Sequence, residues 1–285
     1  MSTAIKVQDQ KICSVGKLCQ MLDLTRDAYY KQRTRMQRSE QVDTKILSLV
    51  LERRKQLPRE GGKKLYRAIL PELELLGIQI GRDKLFSILR KNNQLVRPKK
   101  RYVRTTNSMH RFRKYPNLIK EMKITRPNQV WVSDITYISL FKGHCYLALI
   151  TDAYSRKIVG YDISDSLELA GCLRALKRAL KQLQPGESLI HHSDRGVQYC
   201  SYAYVNLLRK NKIEISMTEE YHCYENAIAE RVNGILKDEF YLDQCFQNTR
   251  YAKKASISAV DLYNNKRLHL SLNYKTPNMV HNKVA

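Results

Sequence analysis

Between residues 128 and 164 three strand-type runs follow one another with almost no chain between them, and that commits the region to a sheet. NQVWVSDITYISL (128–140) alternates, HCYLALITDAY (144–154) is nearly all apolar, and KIVGYDIS (157–164) is a third run of the same kind. Phe141–Lys142–Gly143 and Ser155–Arg156 read as hairpin turns, so the three runs are expected to pair antiparallel. The period then changes. Leu169, Cys172, Leu173, Leu176 and Leu180 give a helix over 167–183 one apolar face. ESLIHHS (187–193) reads as a buried strand, followed by a helix near 201–210, a short strand IEISM (213–217), and helices at about 223–245 and 249–265. The expected class is α/β.

The chain before Pro127 has another texture. Residues 14–30, SVGKLCQMLDLTRDAYY, read as two short helices joined by a turn, with Ser14 and Thr25 where N-caps belong. A second helical module follows: 43–56, 62–76, a turn at 76–81 bracketed by Gly77 and Gly81, and a helix over 82–92. Leu85, Phe86, Ile88 and Leu89 give that last helix a core face, leaving Arg82, Lys84 and Arg90 on the other. Both modules have helix-turn-helix spacing. Residues 97–114 then hold eight basic side chains and no acidic one, Arg97, Lys99, Lys100, Arg101 and Arg104 among them, with no sustained period. The domain reading is a helix-turn-helix at 1–40, a second at 41–96, a basic linker at 97–124, an α/β core at 125–247, and a C-terminal helix and tail at 248–285.

Charge sharpens this division. The formal net charge is +24, but residues 1–128 carry 31 basic against 11 acidic side chains, and residues 129–285 carry 20 against 16. A one-sided excess of this size calls for a polyanion, and nucleic acid is the first candidate. Arg82, Lys84, Arg90 and the linker cations are the expected phosphate contacts. An anionic membrane is the weaker alternative, because no apolar run approaches ~20 residues. The start MSTAIKVQDQ has no apolar signal core, so an intracellular, soluble protein is expected. Seven cysteines (13, 19, 145, 172, 200, 223 and 245) are widely spaced with no CxxC, so they read as buried or partly buried small residues.

Three carboxylates stand out. Asp134 lies in the middle of an apolar strand, where aspartate is rare and an unpaired buried carboxylate is costly. Asp194 follows the fourth strand in HHSDRGVQY, where Gly196 lets the chain turn. Glu230 sits one to two turns into a helix in YENAIAERVNGILKDEF. Fifty-nine residues separate the first two and 35 the second two. Side chains on two strand ends and a packed helix can converge, and converged carboxylates repel unless a cation sits among them. Oxygen donors suit Mg²⁺ or Mn²⁺, and two such ions about 3.5–4 Å apart perform phosphodiester chemistry. Asn226 and Lys237 share the helical face of Glu230. Asn226 is read as orienting the carboxylate or touching DNA, and Lys237 as a phosphate contact. His192 and Trp131 read as core.

Three antiparallel strands followed by alternating helix and strand are also the element order of an RNase H-like fold. WVSDITYI, HHSDRGVQY, the 35-residue gap and YENAIAER resemble the DDE core of insertion-sequence transposases, specifically the group called IS-three, relatives of retroviral integrases. The resemblance spans about 43–280, including the tail YNNKRLHLSLNYKTP (263–277) with Arg267 and His269. It implies an RNase H-like integrase core preceded by helix-turn-helix modules, with Asp134, Asp194 and Glu230 as catalytic and metal-binding residues and two Mg²⁺ or Mn²⁺ ions per site. It further implies cleavage at element ends and transfer of a 3′-hydroxyl into double-stranded DNA by a homo-oligomer at the bacterial nucleoid. An accessory helix-turn-helix or zipper protein is a possible partner, since no sustained heptad zipper is present here. The chain departs from the family pattern at Leu268 (usually Pro), Asn273 (Gly), Tyr221 (Gly) and His222 (Asn). A non-catalytic, transposase-derived repressor would need no acidic triad, and a ribonuclease H would need no basic N-terminal half.

Overall fold

The structure, a computed structural model, describes residues 14–96, 111–184, 186–219 and 226–282. Arg97, Lys99, Lys100, Arg101, Arg104, Tyr221, His222, Cys13 and Cys223 lie outside the described residues. The chain divides into two compact units, Met1–Lys55 with Leu65–Leu95, and Gln56–Lys64 with Val96–Ala285.

The first unit is helical. Helix α1 (Val15–Met21) is capped by Ser14, whose hydroxyl accepts the Lys17 amide at 3.3 Å. Thr25 accepts the Ala28 amide at 3.1 Å, and Leu18, Cys19 and Tyr29 bury a small core between the two segments. The next helix does not stop near residue 30. Helix α2 runs Arg26–Gln56 without a break, so the expected boundary at 40/41 falls inside a helix. The reason is propensity: the stretch between the two anticipated helices has no Gly or Pro and is rich in Lys, Arg, Gln, Glu and Met. Helices α3 (Gly62–Leu75) and α4 (Arg82–Lys91) close the unit around Ile46, Val50, Leu65, Ile69, Leu73, Leu85, Ile88 and Leu89. Arg82, Lys84 and Arg90 stay on the exposed side of α4, with Asp83 3.1 Å from Arg82 and Asp43 2.8 Å from Lys84.

The second unit is a five-stranded sheet covered on both faces. Strands β1 (Val130–Ser139), β2 (His144–Asp152) and β3 (Ile158–Ser164) pair antiparallel, as the short turns require. β4 (Ile190–Ser193) lies parallel to β1, and β5 (Glu214–Met217) parallel to β4, giving the order β3-β2-β1-β4-β5. One face buries Trp131, Ala148 and Ile150 under α5 (Leu169–Leu180) and α7 (Tyr202–Lys210), with the short α6 (Val197–Cys200) at the edge. The other buries Ile138, Leu147 and Leu149 under α8 (Ala227–Glu239) and α9 (Thr249–Asn265). α10 (Pro277–His281) ends the described chain. At Gly160 a Cβ would sit 2.4 Å from the Ala175 carbonyl oxygen, so only glycine lets α5 lie this close to β3.

Helix α8 is shorter than the expected 223–245. Residues 223–225 lie outside the described set, and at the other end the chain leaves the helix at Phe240 so that Leu242 can enter the core. Among the described cysteines four are buried and Cys245 is exposed, against expectation, because it follows that helix end on the surface. No helix among the described residues is long and apolar enough to cross a membrane.

Candidate active site

The parallel register of β1 and β4 builds the first half of the site. Val132 lies opposite His192 and Ser133 opposite Ser193, and one step further along each strand stand Asp134 and Asp194. Trp131 points the other way, is fully buried, and donates its indole N–H to Asn128 Oδ1 at 3.1 Å. That opposite face is the core face expected for it. His192 is also buried, with Nδ1 2.8 Å from Ser216 Oγ, so it packs between strands and does not open toward a ligand.

Helix α8 supplies the second half. Asn226, Glu230, Asn233 and Lys237 follow at spacings of four, three and four, one face of the helix turned toward β1. Asn233, which the motif reading passed over, is buried and donates Nδ2–H to Asp134 Oδ2 at 2.7 Å. Its helical spacing from Glu230 was the signal that could have found it. Asp134 Oδ1 accepts the amide of Ile135 at 2.9 Å. Asn226 is buried too and donates to the Ser133 carbonyl oxygen at 3.1 Å. That bond clamps the start of α8 onto β1 beside Asp134, and the other role expected for Asn226, a direct DNA contact, belongs to the proposal below. Glu230 is exposed on the same face.

The electrostatics of Asp134 report what this arrangement does. Its carboxyl is raised to about 7, first by burial, then by the charge of Asp194 and, less strongly, of Glu230, against the bonds from Asn233 and Ile135. Asp134 therefore feels the charge of both other acids. Among the described residues, no three His, Cys, Asp or Glu side chains are already gathered tightly enough to enclose an ion. Asp194 keeps its own shape through a bond from the Gly196 amide at 3.0 Å. Gly196 has φ −64°, so left-handed backbone is not what selects it; a Cβ there would lie 2.9 Å from Asp194 Oδ1.

Lys237 is not a freely solvated lysine. It is half-buried, with Nζ 4.9 Å from the centre of the Tyr137 ring. The tail residue Arg267 turns out to be structural. It is buried and forms two bonds to Glu239, at 2.9 and 2.7 Å, while Lys64 bonds the same carboxylate at 3.0 and 2.9 Å.

Residues 124–223 match a family model described as integrase core domain, and residues 211–277 match a second model of the same description. A 31 kDa protein of insertion element IS600 from Shigella sonnei is 37% identical over 215 residues, 74% of this chain and 78% of its own length. The transposase for insertion element IS629 from the same organism is 32% identical over 276 residues, 92% of this chain and 90% of its own. The HTLV-2 integrase catalytic core, solved in complex with magnesium, superposes with a TM-score of 0.44 at 19% identity, covering 55% of this chain and 97% of that one. With relatives this similar along most of its length and two integrase-core matches laid over the sheet and α8, the chain belongs to the insertion-sequence transposases with an integrase core domain.

Proposed function

We propose that this transposase is a DDE polynucleotidyl transferase in which Asp134, Asp194 and Glu230 hold divalent metal ions, two per site, to cut DNA at the ends of its element and join the 3′-hydroxyl to a new strand. The observation that carries the reading is the β1–β4 register, which sets Asp134 beside Asp194 under the Glu230 face of α8; there burial, and after it the charge of Asp194, raises the Asp134 carboxyl, a cost that a divalent cation would remove. The donor set fits the group: three carboxylates are hard oxygen ligands of the type Mg²⁺ and Mn²⁺ take. Bound there, the ions would supply Lewis-acid activation of water or a 3′-hydroxyl and of the leaving oxygen. The protein's own part is positioning. Asn233 fixes the plane of the Asp134 carboxylate, and Asn226 holds α8 so that Glu230 faces the strand ends.

DNA is the partner this reading requires, held by the N-terminal cations, Arg82, Lys84 and Arg90 with the linker residues Arg97, Lys99, Lys100, Arg101 and Arg104, and by a homo-oligomer that bridges two element ends. The domain limits at 96/97 and 247/248, a direct DNA contact by Asn226 and an accessory zipper protein belong to the same proposal. The repressor alternative has no observation in its favour. The test is incubation of the full chain with labelled duplex carrying element ends. Cleavage at the terminus in Mg²⁺ or Mn²⁺, and none in chelator, is expected; no cleavage or joining with either ion overturns the reading.

Lys237 lies about 10 Å further along α8 than Glu230, a distance at which it reaches the phosphate next to the one at the metals. Its ammonium already faces Tyr137, so the contact is preorganised. Lys237→Ala is expected to weaken terminal DNA binding by about 1–2 kcal/mol and to slow cleavage more at low DNA than at saturation. Coincident titration curves for variant and wild type would rule the contact out.

A further inference from the structure

On the flank of α8 turned away from Asp134 lies a cavity of about 740 Å³, formed entirely by residues of the second unit. Ile228, Arg231, Ile235 and Asp238 line it, and they sit on the side of the helix opposite Asn226, Glu230, Asn233 and Lys237. Its size is that of a small-ligand pocket. Its charge is unbalanced: Arg59, Lys64, Arg156, Arg231 and Arg267 face it against only Asp238 and Glu239. Apolar walls from Val232, Ile235, Tyr263 and Leu270 stand beside the cations.

We propose that this cavity is a second anion site, separate from the three carboxylates, that takes a phosphate-bearing nucleotide, either free or as one unit of a strand. The cations, the exposed Arg231 foremost, would hold the phosphate, and the accessible apolar side chains of Ile228 and Leu270 would receive the sugar and base. The charge excess is felt by the groups around it. Burial and Arg267 lower the pKa of Lys64 in spite of Glu239. His269, which lines the cavity, is 6% exposed, and its Nε2 has no hydrogen-bond partner. Burial, then Arg267, Lys64, Arg156 and Arg231 in turn, push its imidazole down to about 2. A buried nitrogen without a partner amid cations that repel one another is an environment an anion would relieve, by balancing the charge and, in the tautomer protonated at Nε2, by accepting that N–H.

This site does not depend on the catalytic reading, and its test contains no divalent ion. In chelator, binding of thymidine monophosphate, a single-stranded oligonucleotide, inorganic phosphate and thymidine to the full chain is measured by calorimetry. Arg231→Gln and, as a control for loss of one charge elsewhere, the exposed Arg250→Gln are measured alongside. In parallel the histidine ring signals of ¹⁵N-labelled protein are followed, with His269→Gln assigning the one of interest. Thymidine monophosphate or the oligonucleotide is expected to bind and to move the His269 signal, with Arg231→Gln weakening binding at least fivefold and Arg250→Gln leaving it unchanged. Binding of both ligands places the free nucleotide in the site; binding of the oligonucleotide alone makes the occupant a unit of the strand. Equal losses in the two variants, an unmoved His269 signal, or affinities for thymidine or inorganic phosphate equal to that of the nucleotide each overturn the proposal.

Discussion

Asp134→Asn is expected to abolish cleavage and strand transfer while making the metal-free protein harder to unfold above pH 7. The activity loss should exceed about 100-fold, the upper range for altering groups that merely orient metal ligands. Asp194→Asn and Glu230→Gln should match it. Asn233→Leu, which removes the bond to Asp134 Oδ2 and leaves the carboxylate in place, should fall within roughly 10–100-fold. The stability effect has the opposite sign because the folded carboxyl is raised, from 3.8 to about 7. Its charged form is disfavoured by folding, so the penalty is absent below pH 3.8, grows as pH rises toward 7, and is complete above it. Asparagine keeps an acceptor for Asn233 and carries no charge, so it escapes the penalty. Thermal unfolding in chelator at pH 5 and pH 8 checks this. A higher midpoint for the variant at pH 8 than for wild type, with a smaller gap at pH 5, separates a site residue from a residue needed for folding. Wild-type cleavage by Asp134→Asn would remove it from the proposed site.

Glu239→Ala is expected to cost about 3–5 kcal/mol of stability, the range for leaving a buried charge without its partner. The side chains of Lys64 and Arg267 are 8% and 5% exposed and both bond Glu239, so the substitution strands two cations at once. Glu239 itself is 18% exposed, which pulls the expectation toward the lower end. Burial alone would raise its carboxyl; the two bonds from Arg267, together with Lys64, outweigh burial and hold it below its usual 4.5. A depressed acid contributes stability that is fully present above 4.5 and is lost as pH falls through the folded value. Urea unfolding of wild type should therefore show a midpoint that drops below pH 4.5, and Glu239→Ala a midpoint with less of that dependence. Replacing the trio together, Lys64→Met, Glu239→Leu and Arg267→Met, should cost far less than Glu239→Ala alone, because no charge is left unpaired. A loss under about 1 kcal/mol for Glu239→Ala would mean that water reaches the pair freely.

Much of the sheet could be read from period and turn length. In the sequence the three strand-type runs are separated by only two- and three-residue turns, and a period of two admits few alternatives. Asp134 was visible because a carboxylate in an apolar strand contradicts its surroundings. What escaped the reading were contacts that join distant segments. Nothing local marks Asn233 as the partner of Asp134, since the bond spans 99 residues. Arg267 looked like part of a motif, and only packing reveals its carboxylate, 28 residues away on α8. The continuous α2 was missed for another reason: a long run of polar helix formers has no apolar face to announce it, although each residue favours the helix on its own.

The parallel pairing of β1 with β4 has a consequence in time. These strands are about 60 residues apart in sequence, with β2, β3 and α5 between them, so their ladder closes only after a large loop has been drawn in. Side chains alternate along a strand, and a slip of one residue in this ladder would send Asp194 to the face occupied by Trp131. The two acids are thus neighbours in the finished sheet and strangers in any state without this register. A chain still leaving the ribosome, or one held partly unfolded, has no such pair of carboxylates, however completely its helical N-terminal part has already folded.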